Sequence, residues 1–410
     1  MTTSQERRKP STSEHSLEEL LLDRLRERPN PETTFSAKLS LDISDGDSWT
    51  IGVEPDRLSL SAGVHPDADT TVFVNNETMS SLLIGDRSGI EAFLSGDLRV
   101  RGNLALSLRL SSLVGTEREN RFEKAADVIA GGLRTFYLEA GSGPTVILLH
   151  GLGATNASML TTFWELARDH HVIAPDLPGF GESAKPIRSY DAAFYAKWLL
   201  ALMDELEVAN AVLVGNSMGG RVAIETALCA PDRIDKLVLL APAPAFLKKR
   251  EMVGVVRLLR PELAVLPLPL PRSQALRGLK RMFSRPDRLE DAWYESAIDE
   301  FLRIFRTPRG RIAFFSAARQ IYLEAPHGES GFWERLPSLE RPALFVWGER
   351  DRLVPASFAR HVEKALPTAK SIVLEDCGHV PQYERPEETH KLVREFLDGE
   401  GLDESAIVSS

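Results

Sequence analysis

Cysteine is nearly absent from this chain of 410 residues: Cys229 and Cys377 are its only two, far apart in sequence. Two thiols cannot build a disulfide scaffold, and their scarcity suits a reducing compartment. Long apolar runs are missing as well. Without about 18 consecutive apolar residues, no membrane-spanning helix is expected. The opening MTTSQERRKPSTSEHS carries no apolar stretch of the kind a secretory signal needs. Positive charge is in deficit, and the net −10 argues against general nucleic-acid binding. The expectation is a soluble, cytoplasmic protein, with peripheral contact at a membrane face left open. What is present, 43% apolar and 26% charged residues, describes a globular chain long enough for two domains.

Residues 1–12 are polar and expected to be disordered. Ser16-x-x-Glu19 reads as a capping box, and Leu17, Leu20, Leu21 and Leu25 fall on one face of the helix it opens. SAKLSLDIS, SWTIGVEP and RLSLSAG set short apolar pieces between Asp and Gly, the pattern of an antiparallel meander, and TTVFV reads as its continuation. NNETMSSLLIG predicts a helix capped by Asn75 or Asn76. NLALSLRLSSLV fits two periods. Leu104, Leu106, Leu108 and Leu110 alternate as in a strand, whereas Leu106, Leu110 and Leu113 share a helical face.

TEREN, 116–120, suits a linker. From about residue 126 the style changes, and TVILLH, HVIAPD, AVLVG, KLVLLAP, ALFVWG and SIVLED alternate with helical patterns such as AAFYAKWLLALMDEL. That rhythm predicts βαβ units around a mostly parallel sheet covered on both faces. Some 95 residues between LVLLAPAP and RPALFVWG lack it and predict an inserted lid at about 245–336. The expected domains are 13–115 and 126–400, joined by a linker at 116–125 and flanked by tails at 1–12 and 401–410.

Gly215-Asn216-Ser217-Met218-Gly219 follows the strand AVLV and precedes the helical GGRVAIETALCA. Glycines on either side of the serine let backbones approach where a Cβ would clash, so the turn can lift Ser217 Oγ off the sheet. The helix behind it directs the positive end of its dipole at developing negative charge. A serine hydroxyl is a poor nucleophile at neutral pH and needs a base. Among nine histidines, the candidate is His379, in LEDCGHVPQYERP after the strand SIVL. A carboxylate must hold that imidazole in one tautomer. WGERDRLVP offers Glu349 and Asp351, and Asp351 is preferred because its 28-residue separation from His379 spans one helix and one strand. An oxyanion needs two donors: the N–H of Met218, and one from LLHGLG at Leu152 or its neighbour Gly151. His150 and Asp176 are expected to brace loops. This chemistry calls for no cofactor and no metal.

The ordered set LLHGLG, DLPGFGES, GNSMGG, WGERD and GH-x-P-x-x-E-x-P resembles the α/β-hydrolase fold superfamily over about 126–398. The resemblance implies an α/β fold with a mostly parallel central sheet and an inserted helical lid. It also implies a serine hydrolase with Ser217, Asp351 and His379 in the triad order of that fold, and an oxyanion hole from Met218 and Leu152. Serine at 217 departs from the epoxide-hydrolase and haloalkane-dehalogenase branches, which place aspartate there. GNSMGG is also similar to carbon–carbon bond hydrolases of aromatic ring cleavage, which carry tryptophan after the histidine where this chain has Val380. Esterases of the monoacylglycerol-lipase kind match the motifs equally well.

Residues 17–113 resemble the sterol-carrier-protein-like lipid-binding domain. The likeness rests on the order of helix, meander, TTVFV, SLLIG and FLSGDLRVRGNLALSLRL, ending in L-x-V-x-G and a leucine-rich segment. Gly102-Asn103 stands where that family often has Gly-Asp. The resemblance implies a small α+β domain with an apolar tunnel for a fatty acyl chain or sterol, and a helical final segment. Leu82, Leu83, Phe93 and Leu106 read as core residues without an assigned ligand role.

The lid is unusually basic. Between Phe246 and Arg288 it holds eleven Lys or Arg and three Asp or Glu, a balance of +8. Combined with the apolar MVGVVRLLRPELAVLPLPLP, such a surface can rest on an anionic membrane, or present a solvated basic face over packed helices. Pro267, Pro269 and Pro271 exclude one long helix there. The leading expectation is a serine hydrolase that cleaves a carboxylic ester of a lipid or long acyl chain. The alternatives are a carbon–carbon bond hydrolase of the same fold, and a lipid carrier or sensor built on a non-catalytic hydrolase scaffold.

Overall fold

The computed structural model describes residues 16–27, 36–55, 57–114, 124–245, 253–258, 260–266 and 269–399. The tails at 1–12 and 401–410 and the TEREN linker lie outside the described residues. The chain divides into two units, one of residues 1–101 and 106–120, the other of residues 102–105 and 121–410.

In the first unit the capping box forms as its residues dictate. Ser16 Oγ accepts from the Glu19 N–H at 3.2 Å, Glu19 Oε2 accepts from the Ser16 N–H at 2.9 Å, and the helix Leu17–Glu27 follows. Strands β1 (Ala37–Ile43), β2 (Trp49–Glu54) and β3 (Arg57–Ala62) make the expected antiparallel meander. β4 (Thr70–Val74) departs from expectation: it pairs with β1 in parallel, Leu39 opposite Thr70 through Ile43 opposite Val74. The cause lies in the connection after β3, which does not turn back as a hairpin. The His65 N–H donates to Ser40 Oγ at 3.0 Å and Thr50 Oγ1 at 3.2 Å, so the chain is held across β1 and β2 before it enters the sheet on the far side of β1.

Asn75, rather than Asn76, caps the next helix, Asn76–Ile84, accepting from the Thr78 N–H at 2.7 Å. β5 (Leu98–Gly102) completes the sheet order β3-β2-β1-β4-β5. Gly102, at φ 95°, turns the chain out of β5, and the ambiguous leucine segment becomes the helix Leu104–Val114. Leu21, Leu41, Ile51, Val72, Leu83 and Val100 close the core of this unit.

The second unit is built on eight strands: β6 (Lys124–Ala130), β7 (Leu133–Ala140), β8 (Thr145–Leu149), β9 (His171–Pro175), β10 (Ala211–Asn216), β11 (Ile234–Leu240), β12 (Ala343–Gly348) and β13 (Lys370–Leu374). Their order is β13-β12-β11-β10-β8-β9-β7-β6. The pairs from β13 to β9 are parallel, while β7 runs antiparallel to both β9 and β6. β10 and β12 are buried at every residue, as strands covered on both faces must be, which is why they read as unbroken apolar runs.

The segment between β11 and β12 is helical: Val253–Leu258, Arg272–Lys280, Asp291–Phe305, Pro308–Leu323 and Phe332–Arg335. A buried ion network ties its far end to the helix Met218–Cys229. Arg221, 4% exposed at its side chain, donates to Glu225 at 2.8 Å and to Glu324 at 2.8 Å, and Arg335 grips both Glu225 oxygens at 2.8 and 2.9 Å. Burial alone would raise the Glu225 carboxyl. The hydrogen bond from Arg335 and the charge of Arg221 outweigh burial and hold it at about 2 instead of 4.5.

Removing one member of such a network strands the others in low dielectric. Glu225→Ala is therefore expected to lower the unfolding free energy by about 3–5 kcal/mol in urea titrations at neutral pH. Because the folded-state value lies below the unfolded one, this contribution is complete above pH 4.5 and is lost as pH falls towards about 2. Wild type should lose stability across that window more steeply than the variant, and parallel curves would contradict the assignment.

Candidate active site

The chain leaves β8 towards β9 on one side and returns to β10 on the other, so strand order reverses between β8 and β10. In open α/β sheets the crevice at the carboxyl ends of such strands is where ligands bind. Two of the motifs emerge there: His150-Gly151-Leu152-Gly153 follows β8, and Ser217 follows β10.

Ser217 adopts φ 54° and ψ −114°, a strained conformation for a residue with a Cβ. Its backbone is held there on three sides. Its N–H donates to Leu240 O at 2.9 Å, while its own carbonyl accepts from Ala243 at 3.0 Å and Arg221 at 3.2 Å. The turn closes only because of its glycines. A Cβ on Gly215 would lie 2.5 Å from the Gly219 carbonyl carbon, and one on Gly219 would collide with the Leu149 carbonyl. From Ala211 to Ala227, Ser217 alone is not buried. Met218 begins the 12-residue helix behind it, and a Cβ on Gly151 would stand 3.4 Å from Ser217 Cβ.

His379 and Asp351 meet as the sequence predicts. His379 Nδ1–H donates to Asp351 Oδ2 at 2.7 Å, with both side chains buried. Asp351 Oδ1 accepts from the N–H groups of Leu353 and Val354 at 2.7 and 2.9 Å, so neither oxygen is left unsatisfied. Glu349, the competing carboxylate, turns away to the Asp376 N–H at 3.1 Å. Asn216 spans the gap between the serine turn and the histidine loop, its amide donating to Leu240 O at 3.0 Å and His379 O at 3.2 Å.

The histidine loop has further supports that the sequence reading did not assign. The His379 N–H donates to Met282 O, in the helical segment, at 2.8 Å. Glu384, the acid of GH-x-P-x-x-E-x-P, accepts from Gly378 at 3.0 Å and Ser284 at 2.6 Å. Burial pushes its carboxyl upward against these donors. Glu384 was visible as part of a motif, but nothing local indicated that its partner would come from 100 residues upstream.

His150 and Asp176 brace loops, as expected. His150 Nδ1–H donates to Gly151 O at 2.8 Å and Nε2 accepts from the Leu177 N–H at 2.9 Å, which defines a neutral tautomer. Burial lowers its pKa to about 4, so it stays uncharged. Pinning Gly151 O also sets the peptide plane it shares with the Leu152 N–H, which must point the opposite way. Asp176 accepts from Asn156 and Glu182, each at 2.8 Å. Over this loop lie aromatic rings of the helical segment: a Cβ on Gly153 would be 2.9 Å from Phe314 and 3.2 Å from Phe301.

Such a strained serine, an oriented imidazole–carboxylate pair and a mostly parallel sheet define a hydrolase of the α/β class, and comparison with known proteins agrees. Residues 144–386 match the alpha/beta hydrolase fold family, and the chain belongs to it. Residues 19–115 match the SCP-2 sterol transfer family. A relative from Pseudomonas putida, the dihydrolipoyllysine-residue acetyltransferase component of an acetoin cleaving system, is 32% identical over 65% of this chain and 66% of its own. The 2-hydroxymuconate semialdehyde hydrolase of Pseudomonas sp. (strain CF600) is 28% identical over 68% of this chain and 95% of its own. Among solved structures, a bacterial membrane phospholipase A, a virulence factor, is 31% identical and superposes with a TM-score of 0.58, covering 72% of this chain and 91% of that one. Among the described residues, no helix is long and apolar enough to cross a membrane.

Burial raises the Asp176 carboxyl from 3.8 to about 7, despite the two N–H groups it accepts. The folded state then binds a proton that the unfolded state releases, so stability should fall as pH rises from about 4 to about 7 and level off above. Chemical denaturation across this range is expected to show a smaller decline in Asp176→Asn than in wild type. An equal decline would mean that Asp176 is ionised throughout.

Proposed function

We propose that the protein hydrolyses a carboxylic ester of a lipid or long acyl chain through an acyl-enzyme. Ser217 Oγ attacks the ester carbonyl while His379 Nε2 takes its proton. Asp351 holds the imidazole in the required tautomer and stabilises the imidazolium that forms. The N–H groups of Met218 and Leu152 receive the oxyanion, with the helix dipole behind Met218 adding to the field. His379 returns the proton to the leaving alkoxide. Water, activated by the same histidine, then attacks the Ser217 ester and releases the acid. The observation that carries this reading is the Asp351–His379 bond of 2.7 Å, linked through Asn216 to a serine held in a strained turn.

An acyl substrate is favoured by the Phe301 and Phe314 rings above the Leu152–Gly153 loop, and by the membrane phospholipase A among the structural neighbours. In the same reading the N-terminal domain, 13–115, holds a fatty acyl or sterol ligand, as its match to the sterol transfer family suggests. The linker is 116–125, the hydrolase domain 126–400, and its lid 245–336. The basic lid makes peripheral contact with membranes, and the free thiols of Cys229 and Cys377 suit a cytoplasmic setting.

A second reading, carbon–carbon bond hydrolysis, is favoured by the likeness to the 2-hydroxymuconate semialdehyde hydrolase. Val380 beside the histidine counts against it. A carrier or sensor role on an inactive scaffold leaves the strain at Ser217 without a purpose.

With p-nitrophenyl esters, Ser217→Ala should reduce turnover by at least about 10⁴-fold, and Asp351→Asn by about 10³- to 10⁴-fold with the fold intact. A fluorophosphonate probe should label wild type at Ser217 stoichiometrically. Activity should rise with acyl chain length and exceed that on a vinylogous diketone. Full esterase activity in Ser217→Ala would overturn the assignment, and preference for the diketone would select the second reading.

A further inference from the structure

Eight large apolar residues stand exposed among the described residues, and four of them fall between Leu258 and Leu266. Leu258 is 82% exposed, Leu263 and Leu266 65%, and Val265 51%. Apolar side chains scattered singly on a surface need no explanation, but four within nine residues do.

The backbone beneath them is a built support. Arg311, itself buried, donates from Nε to Ala264 O and from Nη2 to Val265 O, both at 2.8 Å. Its Nη1 reaches Phe305 O at 3.2 Å and Arg306 O at 2.6 Å. One helical turn pair further along, Arg319 holds Val256 O at 3.1 Å and Arg257 O at 2.9 Å. Two arginines of the helix Pro308–Leu323 thus clamp the carbonyls just before Leu258 and between Leu263 and Leu266. Only Ala264 of the short turn Pro261–Val265 is buried. Polar groups face inward and large apolar ones face water, the reverse of how a loop minimises its exposed apolar surface.

Beside this edge is a crevice of about 350 Å³ lined by Pro269, Leu270, Pro271, Leu302, Phe305 and Arg306. It shares a frame with the loop, because Arg311 holds carbonyls of both. Arg257 and Arg260, near in sequence to the exposed leucines, and Arg306, which lines the crevice, are exposed, against Glu262 alone within the loop. Exposed leucines on a backbone clamped from beneath, with exposed arginines in the same and the adjoining segment, match the two layers of an anionic bilayer surface: acyl chains below and phosphates above.

We propose that residue 258 and residues 260–266 form a membrane-docking edge, which inserts Leu258, Leu263, Val265 and Leu266 among the acyl chains of an anionic phospholipid surface. Arg257, Arg260 and Arg306 meet its headgroups, and the neighbouring crevice receives part of a lipid chain. The partner is consistent with the lipid-ester reading above and rests on it for its purpose, but binding is measured without turnover.

The test uses the full chain with vesicles of phosphatidylcholine alone or with phosphatidylglycerol, read by flotation. Wild type should float with the anionic vesicles and much less with the neutral ones. Leu263→Ser/Leu266→Ser should weaken anionic binding by about tenfold or more. Arg257→Ala/Arg260→Ala should weaken it roughly fivefold per charge, with a reduced dependence on salt. Hydrolysis of a short, water-soluble p-nitrophenyl ester should be unchanged in both, so failure of docking and failure of the esterase reading are told apart. To guard against misfolding of the leucine variant, a polarity-sensitive dye on Leu266→Cys in a Cys229→Ser background should shift to the blue on anionic vesicles. The proposal is overturned if wild type stays with the soluble fraction, if the leucine variant binds as wild type does, or if the dye does not shift. It is overturned equally if light scattering finds a dimer that the leucine variant dissociates, which would make this edge an interface between two copies of the chain.

Discussion

The contact on which the site depends is the one between the first turn of the helix Met218–Cys229 and the end of β8. Gly219 lies so close to the Leu149 carbonyl that no side chain fits between them, and Gly215 is pressed equally against Gly219. The chain must therefore reverse from strand to helix within about one residue, and Ser217 takes the strain. A conformation of this kind costs of the order of 1–3 kcal/mol and persists only where its surroundings leave no alternative. Here two backbone hydrogen bonds to β11 and its extension and a third from Arg221 of the following helix, together with the burial of that helix through its first ten residues, supply the constraint. The same closeness brings the first free N–H of the helix beside the loop that follows β8. The proposed nucleophile and the backbone of the two proposed oxyanion donors are thus held by strand and helix ends that pack directly on one another, with Gly151 beside Ser217.

The histidine side of the site is fixed differently, by polar groups of which two, from Asn216 and Met282, are distant in sequence and one, Glu384, is near. Asn216 reaches it from the serine turn, Met282 from the helical insert and Glu384 from the next helix. Because the His379 N–H is bonded to the insert, that segment is part of the frame of the site as well as its roof. Movement of residues 282–284 would disturb the histidine loop directly, since Ser284 and Gly378 share the Glu384 carboxylate. An insert coupled in this way can transmit contact at its outer surface to His379, the proposed base, through backbone hydrogen bonds, without a long chain of side-chain rearrangements.

The motifs of the site were legible because each is packaged at a strand end, where short stretches of sequence carry the geometry. Ser217, Asp351 and His379 can be read in this way, as can the six parallel strands β8 to β13. β6 and β7 were not picked out. β6 is an edge strand whose half-burial dilutes the apolar signal, β7 (LRTFYLEA) interrupts its apolar residues with Arg134, Thr135 and Glu139, and their connection through Gly131-Gly132, both at positive φ, is the clue available. The direction of β4 was misread because strand composition is blind to whether a connection turns back or crosses over. Here that choice rests on His65 meeting two hydroxyls from other strands. The second period of the leucine segment after Gly102 could only be resolved by what precedes it, a backbone turn that ends β5. Supports such as Met282 and Glu384 were beyond reach for a simpler reason: a backbone carbonyl has no sequence signature, and a carboxylate does not name its donor.

Electrostatics around the oxyanion loop point in a consistent direction. His150, next to Gly151, is held neutral by burial, with its pKa at about 4, and burial likewise drives Asp176 towards its uncharged form. The groups that buttress the loop thus add hydrogen bonds to it and little fixed charge. In a buried, low-dielectric setting fixed dipoles act with greater force on a charge that appears during reaction. The Met218 and Leu152 N–H groups would then be the principal stabilisers of an oxyanion, and the Asp351–His379 pair the principal source of mobile charge. On the proposed mechanism, such a site would select by shape and polarity more than by ion pairing with the substrate. Phe301 and Phe314, packed against the loop at Gly153, extend that apolar character to where the acyl portion of an ester would lie. A carbon–carbon bond substrate that carries carboxylates would need cationic groups in this position instead of rings, which is the physical ground for preferring an uncharged acyl ester.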